Sequence, residues 1–174
     1  QFICLTKNEP LYIEVVARWH EHPTLGAKAD FVALALTDID GVELYPYELD
    51  GMGKHLSIDP ADPVNVIGFP FGITAGGIFA VWATGFVASE PDIQYNGLPI
   101  QLIDCRCRPG QSGSPAISYR QPGMIRAAGG ISFSSATPVY KFIGIYSGRI
   151  NEESDIGIVW KNSAIAELLA SLEP

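Results

Sequence analysis

The sequence predicts an all-β protein in which short strands form barrels or a sandwich, with one helix after the last strand. Three observations support this prediction. The 174-residue chain contains 18 glycines and 13 prolines, which supply many turns. Apolar runs recur at a spacing of roughly 8–15 residues, as in barrels and sandwiches. Hydrophobic residues make up 47% of the chain and charged residues only 17%, so the chain can bury a core.

The first third of the chain predicts three strands and then a connector. The strands are Phe2–Thr6, Tyr12–Trp19 and Phe31–Leu36. The third is a continuous apolar run, which is typical of a strand buried on both faces. Residues 37–62 are rich in Asp, Gly, Pro and Tyr, and they predict a connector that marks a candidate domain boundary.

The rest of the chain predicts a series of strands separated by glycine and polar residues, and then a helix. The strands are Val64–Gly68, Ile78–Ala88, Ile100–Asp104, Pro115–Tyr119, Phe142–Tyr146 and Gly157–Trp160. The tail Ser163–Leu172 has helical periodicity, with Ser163 as the expected N-cap.

Charge and cysteine content exclude several classes of function. The formal net charge of −8 disfavours nucleic-acid binding, and no apolar run is long enough to predict a membrane span. The odd number of cysteines (Cys4, Cys105 and Cys107) argues against a disulfide framework, and Cys105 and Cys107 are too close in sequence for an easy disulfide. Reduced thiols slightly favour a cytoplasmic setting. We expect no metal site and no cofactor, and the sequence leaves the oligomeric state open.

The sharpest local signal is the segment from Pro109 to Pro115, which reads PGQSGSP. A serine flanked by glycines in a tight turn can expose its hydroxyl, and nearby backbone N–H groups can then converge on an oxyanion. Glycine-rich segments also form ordinary hairpin turns, so the segment alone leaves both interpretations open.

Three further motifs accompany this loop in order along the chain. Asp30 directly precedes a buried apolar strand, Val66–Pro70 reads VIGFP, and Phe142–Gly148 is followed by Gly157–Trp160 and the helix. Together these motifs resemble the trypsin-like, chymotrypsin-fold serine peptidases, especially the bacterial trypsin-like peptidase domains. The resemblance implies a double β-barrel whose first barrel is incomplete. It divides the chain into a partial N-terminal barrel with its connector over residues 1–55, and a C-terminal barrel with the terminal helix over residues 56–174.

The resemblance also implies roles for particular residues. Ser112 would be the nucleophile, and the backbone N–H groups of Gly110 and Ser112 would form the oxyanion hole. Asp30 would orient the catalytic imidazole. Gln111 stands where many secreted members have an aspartate, so activation by N-terminal cleavage is not expected.

Substrate binding is implied for two further places. The strand at Ser147 and Gly148 resembles the edge that pairs with an extended substrate backbone. Arg106 precedes Ser112 by six residues, where the family often places the base of its primary specificity pocket. A cation there would favour acidic side chains, although a solvent-exposed arginine is equally compatible with the sequence.

The base that would activate Ser112 is the missing part of this pattern. The family places its catalytic histidine before the last strands of the first barrel, which here means upstream of Gln1. His20 and His22 lie too close to Asp30 and are expected to be structural or surface residues, and His55 follows Asp30 in the connector. Three explanations remain: a fragment of a longer peptidase, a homologue that binds without cutting, or an unusual arrangement that uses His20 or His22.

The sequence therefore predicts a serine endopeptidase domain that acts on a peptide or protein substrate through an acyl-enzyme on Ser112. The alternative is a catalytically inactive, protease-like module that binds peptides. A cysteine-dependent enzyme using Cys105 or Cys107 is disfavoured because both precede the glycine loop. A hydrolase with paired carboxylates is conceivable, but no spacing of Asp and Glu singles out a pair.

Overall fold

A computed structural model describes residues 2–5, 19–36, 40–49 and 52–172. The predicted strand Tyr12–Trp19 lies outside these residues except for its last position. No helix in the described ranges is long and apolar enough to span a bilayer.

The described chain contains eleven strands and one α-helix. The first three strands are β1 (Phe2–Leu5), β2 (Trp19–His20) and β3 (Val32–Ala35), and they form a sheet in the order β1-β3-β2. The next four are β4 (Pro63–Gly68), β5 (Val81–Val87), β6 (Ile100–Asp104) and β7 (Pro115–Arg120). The last elements are β8 (Gly123–Arg126), β9 (Ser132–Ser135), β10 (Val139–Arg149), β11 (Ile156–Lys161) and α1 (Asn162–Ala170).

Six of these strands close into an antiparallel barrel in the order β10-β11-β6-β5-β4-β7. The barrel interior holds small aliphatic side chains that alternate along their strands, as the pleat requires. Val64, Val66, Ile103, Ala116 and Val159 are each fully buried there. This mostly-β architecture with a closed barrel and one C-terminal helix confirms the predicted all-β class.

The N-terminal sheet packs against the C-terminal helix. Phe31 and Ala33 are fully buried in one apolar cluster with Trp160, Ile165 and Leu168. The rings of Phe31 and Trp160 lie 5.4 Å apart. The continuous apolar run that starts at Phe31 is therefore buried in a cluster that the barrel strands and the last helix share.

Some boundaries differ from the sequence prediction. Hydrogen bonding begins later in β5, at Val81, because residues 69–80 form turns. The helix begins at Asn162, with Lys161 at the N-cap and no side-chain capping bond, so the expected Ser163 cap is wrong by two positions. The β8–β9 hairpin was not predicted, because its exposed faces carry little apolar alternation. The predicted division at residues 55 and 56 stays a prediction.

Candidate functional site

The serine loop joins β6 to β7 and is closed by its own backbone. The Arg108 N–H donates to Oε1 of Gln111 over 2.7 Å, and the Gln111 N–H donates back to the Arg108 carbonyl over 3.2 Å. The Ser114 N–H donates to the Gln111 carbonyl over 3.0 Å. Gln111 is 1% exposed, so this reciprocal pairing is shielded from water and fixes the turn that carries Ser112.

Gly110 is required by the close approach of a second turn. Its φ is +90°, and a Cβ at this position would lie 2.8 Å from the Phe69 carbonyl oxygen. The Phe71 N–H donates to the Pro109 carbonyl over 2.7 Å, which fastens the two turns together. The VIGFP motif thus supports the serine loop through its backbone, and only glycine fits between them.

Strand β10 anchors the other side of the loop. The Gly113 N–H donates to the Tyr146 carbonyl over 2.8 Å, and the Tyr146 N–H donates to the Ser114 carbonyl over 2.9 Å. Ser112 Oγ donates to the Ser147 carbonyl over 3.1 Å. The hydroxyl proton of Ser112 is therefore directed at a backbone oxygen and not at an imidazole.

Two N–H groups of the loop remain available. Those of Gly110 and Ser112 donate to no acceptor among the described residues. Ser112 itself is partly exposed. An external oxyanion or carbonyl oxygen would satisfy such donors, and this is the chemistry that the predicted oxyanion hole requires.

Strand β10 has one open edge beside this loop. Its pairing with β7 ends at Ile145 opposite Pro115, whereas its pairing with β11 continues to Arg149 opposite Gly157. The register with β11 shifts between Tyr146 and Gly148, so Ser147 is the extra residue of a bulge. Among the described strands, Gly148 and Arg149 consequently have a partner on one side only, and Ser147 bulges beside them.

Asp30 lies two residues before β3, in the bend that leads into the strand. It is half-buried between Ala29 and Phe31, which are both fully buried. Leu5 pairs with Val32, so the chain leaves β1 at the end of β3 that Asp30 precedes. Residues 6–18, which follow β1, contain no histidine.

In the described part of the chain, Ser112 Oγ hydrogen-bonds to the Ser147 carbonyl and to none of the three histidines. His22 is 2% exposed, and its Nδ1 accepts from the N–H groups of Thr24 and Leu25, each over 3.3 Å. Its Nε2 lies 3.8 Å from Oε2 of Glu167 on α1. His20 pairs with Ala33 in the sheet, and His55 is exposed in a 3-10 turn. His22 therefore organises a turn.

Arg106 has an exposed side chain. It is 83% exposed, and its Nε lies 3.7 Å from Asp155, which also lies 3.5 Å from Arg108. The placement matches the solvent-exposed alternative of the sequence analysis. The role of Arg106 in substrate binding stays a prediction.

Cys105 and Cys107 are free and buried. The Cys107 N–H donates to the Cys105 carbonyl over 2.6 Å, and this tight turn brings the two sulfurs to 3.5 Å. The hydrogen bond from Cys107 lowers the pKa of the Cys105 thiol and raises that of Cys107. Burial of both thiols disfavours a nucleophilic role for either one.

Sequence reasoning missed two features of the structure. One is the Gln111 side chain as a hydrogen-bond acceptor, which the sequence marked only by a departure from the family pattern. The other is an aromatic cavity on the outer face of the barrel, formed by β4, β5, β7, β10 and the segment 44–48. Its signal was the unusual tyrosine content of the connector.

No protein-family model matches the chain, and none of the curated proteins does. Among solved structures, the chain is similar to an HtrA-type protease, AlgW with tripeptide, at 19% identity and a TM-score of 0.48. That match covers 82% of this chain and 40% of AlgW.

The chain is also similar to the Rv3671c protease in an inactive form, at 19% identity and a TM-score of 0.46. A serine-to-alanine mutant of Rv3671c from M. tuberculosis H37Rv matches at 18% identity and a TM-score of 0.47. Each of these two matches covers 91% of this chain and 66% of the other. At these values the likeness assigns no activity to this chain.

Proposed function

We propose that this chain is a protease-like domain that binds an extended peptide along β10, beside the Ser112 loop. The observation that carries the proposal is the open edge at residues 147–149, where β10 outlasts its pairing with β7. Backbone groups on such an edge accept a peptide as an added strand, and main-chain hydrogen bonds supply the affinity. The N–H groups of Gly110 and Ser112 would then hold a peptide carbonyl at the end of that strand.

Binding without cleavage is favoured by the surroundings of Ser112. Its hydroxyl donates to the Ser147 carbonyl, and a serine hydroxyl is a weak nucleophile until a base accepts its proton.

The second candidate is the serine endopeptidase predicted from the sequence. The loop geometry favours it, because Gly110 and Ser112 keep free N–H donors and Ser112 is partly exposed. In this reaction, Ser112 Oγ gives its proton to a base and attacks the peptide carbonyl, the C–N bond breaks, and the amine leaves with that proton. Water then hydrolyses the acyl-enzyme to release the acid and restore the serine. Asp30 would orient the imidazole that takes the Ser112 proton, and this imidazole has to come from an arrangement other than the one described.

One pair of measurements separates the two candidates. Fluorescein-labelled casein, an unfolded polypeptide, is titrated against the wild-type chain and Ser112→Ala by fluorescence polarisation. Amide exchange is followed at residues 147–149, and a fluorophosphonate probe reports a reactive Ser112.

Equal binding by both chains, with slowed exchange at 147–149 and no probe labelling, supports the peptide-binding proposal. Labelling of Ser112 together with casein cleavage, both absent in Ser112→Ala, supports the endopeptidase. If casein does not bind and amide exchange at residues 147–149 is not slowed, the proposed peptide-binding edge is contradicted.

A further inference from the structure

A cavity of about 480 Å³ lies on the outer face of the barrel, within the size range of small-molecule sites. Ile67 of β4 and Ile117 of β7 provide its aliphatic part. Most of the remaining lining consists of aromatic rings from three strands and from the segment 44–48: Trp82, Tyr119, Tyr140, Tyr45 and Tyr47.

The rings stand at right angles to one another in two pairs. Trp82 and Tyr119 are 5.8 Å apart at 89°, and Tyr47 and Tyr140 are 5.9 Å apart at 89°. In each pair the edge of one ring meets the face of the other, which holds the rings together at the cavity wall. Cavities lined by several aromatic rings are the sites that bind organic cations.

Several of these rings are also open to solvent. Trp82 is 51% exposed and Tyr45 is 79% exposed. A cluster of large exposed aromatic side chains is unusual on a soluble surface and marks a binding site. Tyr47 also stacks on Phe142, with 5.6 Å between ring centroids, and this contact ties the cavity wall to the barrel.

The charge of the cavity selects the kind of ligand. Glu48 is the one charged side chain among its described lining residues, which include no lysine or arginine. The whole chain carries a formal net charge of −8, which adds a field of the same sign. The negative faces of the rings and one carboxylate together attract a cation whose body is apolar.

We propose that this cavity binds a methylated ammonium cation. The methyl groups of such a cation contact the rings, and its diffuse charge faces the π-systems and Glu48. A primary ammonium is compact and strongly hydrated, so its transfer into the cavity costs more. The same chemistry is offered by a free quaternary ammonium compound and by a methylated lysine side chain.

Equilibrium dialysis of radiolabelled choline against the full chain tests the proposal. The comparison ligand is the neutral carbon isostere of choline, in which a tert-butyl group replaces the trimethylammonium group. We expect saturable millimolar binding of choline and at least about tenfold weaker competition by the isostere. Equal competition by the isostere, or no saturable binding of choline, would overturn the proposal.

Matched variants place the site. Trp82→Leu should reduce choline binding about tenfold, and Glu48→Gln should reduce it several-fold. Trp19→Leu is the control, because Trp19 is 39% exposed and does not line the cavity. Tyr45→Leu is a second cavity variant in case Trp82→Leu does not fold, because the Tyr45 ring is more exposed than that of Trp82. If Trp82→Leu and Tyr45→Leu are both well folded and bind choline as the wild type does, the assignment of the choline site to this cavity is overturned.

A second arm distinguishes the two sources of the cation. A lysine-containing peptide is compared in its unmethylated and trimethylated forms, beside tetramethylammonium. A trimethylated peptide that binds about tenfold tighter than tetramethylammonium indicates a protein ligand. Equal affinities indicate a free small molecule. Tighter binding of the unmethylated peptide would contradict the proposed preference for methylated nitrogen.

Discussion

The N-terminal sheet and the six-stranded barrel bury their apolar side chains in different ways. The barrel strands pair in a closed ring, and their inner faces cover one another. The described N-terminal sheet has three strands with β3 at the centre, and its buried residues share one cluster with barrel-strand residues and with helix α1. The barrel's interior core is thus built by its own strands, whereas the buried face of the sheet depends on segments that come later in the chain.

Because of this difference, Asp30 and Ser112 are held in place by different parts of the structure. Ser112 stands on a loop that hydrogen-bonds directly to β10 of the barrel. Asp30 stands two residues before β3, whose burial relies on Phe31, Trp160 and α1. Perturbing the contact between sheet and helix should therefore displace Asp30 before it displaces the serine loop.

The largest expected effect comes from Phe31→Ala, at the contact between the sheet and α1. Removing a fully buried phenylalanine leaves a cavity against Trp160, and we expect a loss of about 3–5 kcal/mol in the free energy of unfolding. Urea denaturation measures it. Ile93→Ala, at a 63% exposed position, is the control and should change stability by less than about 0.5 kcal/mol. Equal losses in both variants would mean that the burial of Phe31 does not stabilise the contact of the sheet with the rest of the chain.

A pair of glycines in β10 tests the barrel. Gly144 and Gly148 have nearly equal φ values of +158° and +159°. A Cβ on Gly144 would overlap the Trp160 carbonyl, whereas a Cβ on Gly148 meets nothing within 4 Å. Since the backbone strain is shared, Gly144→Ala should lose roughly 1–3 kcal/mol more stability than Gly148→Ala in thermal or urea denaturation. Equal stability of the two variants would show that the barrel backbone shifts at this contact to accommodate the added methyl group.

A third comparison concerns the serine loop. Gly110→Ala combines a φ of +90° with the close Phe69 carbonyl, so we expect a loss of about 1–2 kcal/mol and weaker casein binding. Gly97 also has a positive φ, of +70°, but has open space around it. Gly97→Ala should therefore lose stability without losing affinity for casein. If Gly110→Ala keeps its affinity for casein, the serine loop does not contribute to peptide binding at the proposed edge.

The smallest expected effect lies at the hydrogen bond between the His22 turn and α1. Thr24 Oγ1 donates to Oε1 of Glu167 over 2.8 Å at an exposed position. Thr24→Ala should therefore lose only about 0.5–1 kcal/mol, measured by urea denaturation. Thr74→Ala, in an exposed turn beside the barrel, should lose less, and a larger loss there would contradict the ranking.

The same division decides how much the sequence could predict. The barrel strands were readable because Val64 and Val66 alternate with outward residues, and because glycines separate the runs. The buried strand after Asp30 was readable from its continuous apolar run. The residues that pack against this strand could not be predicted, because the periodicity of α1 does not indicate which distant strand the helix contacts. The β8–β9 hairpin escaped because its exposed faces leave no apolar pattern.

The candidate site was predicted in part for similar reasons. The PGQSGSP segment identified Ser112 because tight turns need glycine at particular positions. The bond from Ser112 to the Ser147 carbonyl and the 3.5 Å approach of the Cys105 and Cys107 sulfurs depend on a bulge and a tight turn. The aromatic cavity joins Tyr45 and Tyr47 of an irregular segment to outward strand residues, and no local pattern encodes that meeting.

The covering of Phe31 by α1 also has a consequence for synthesis. A ribosome delivers the chain from its N-terminus at about 5–20 residues per second. Phe31 emerges early, while Ile165 and Leu168 of its apolar cluster are among the last described residues to be made. The apolar cluster around Phe31 therefore stays incomplete until α1 has been made.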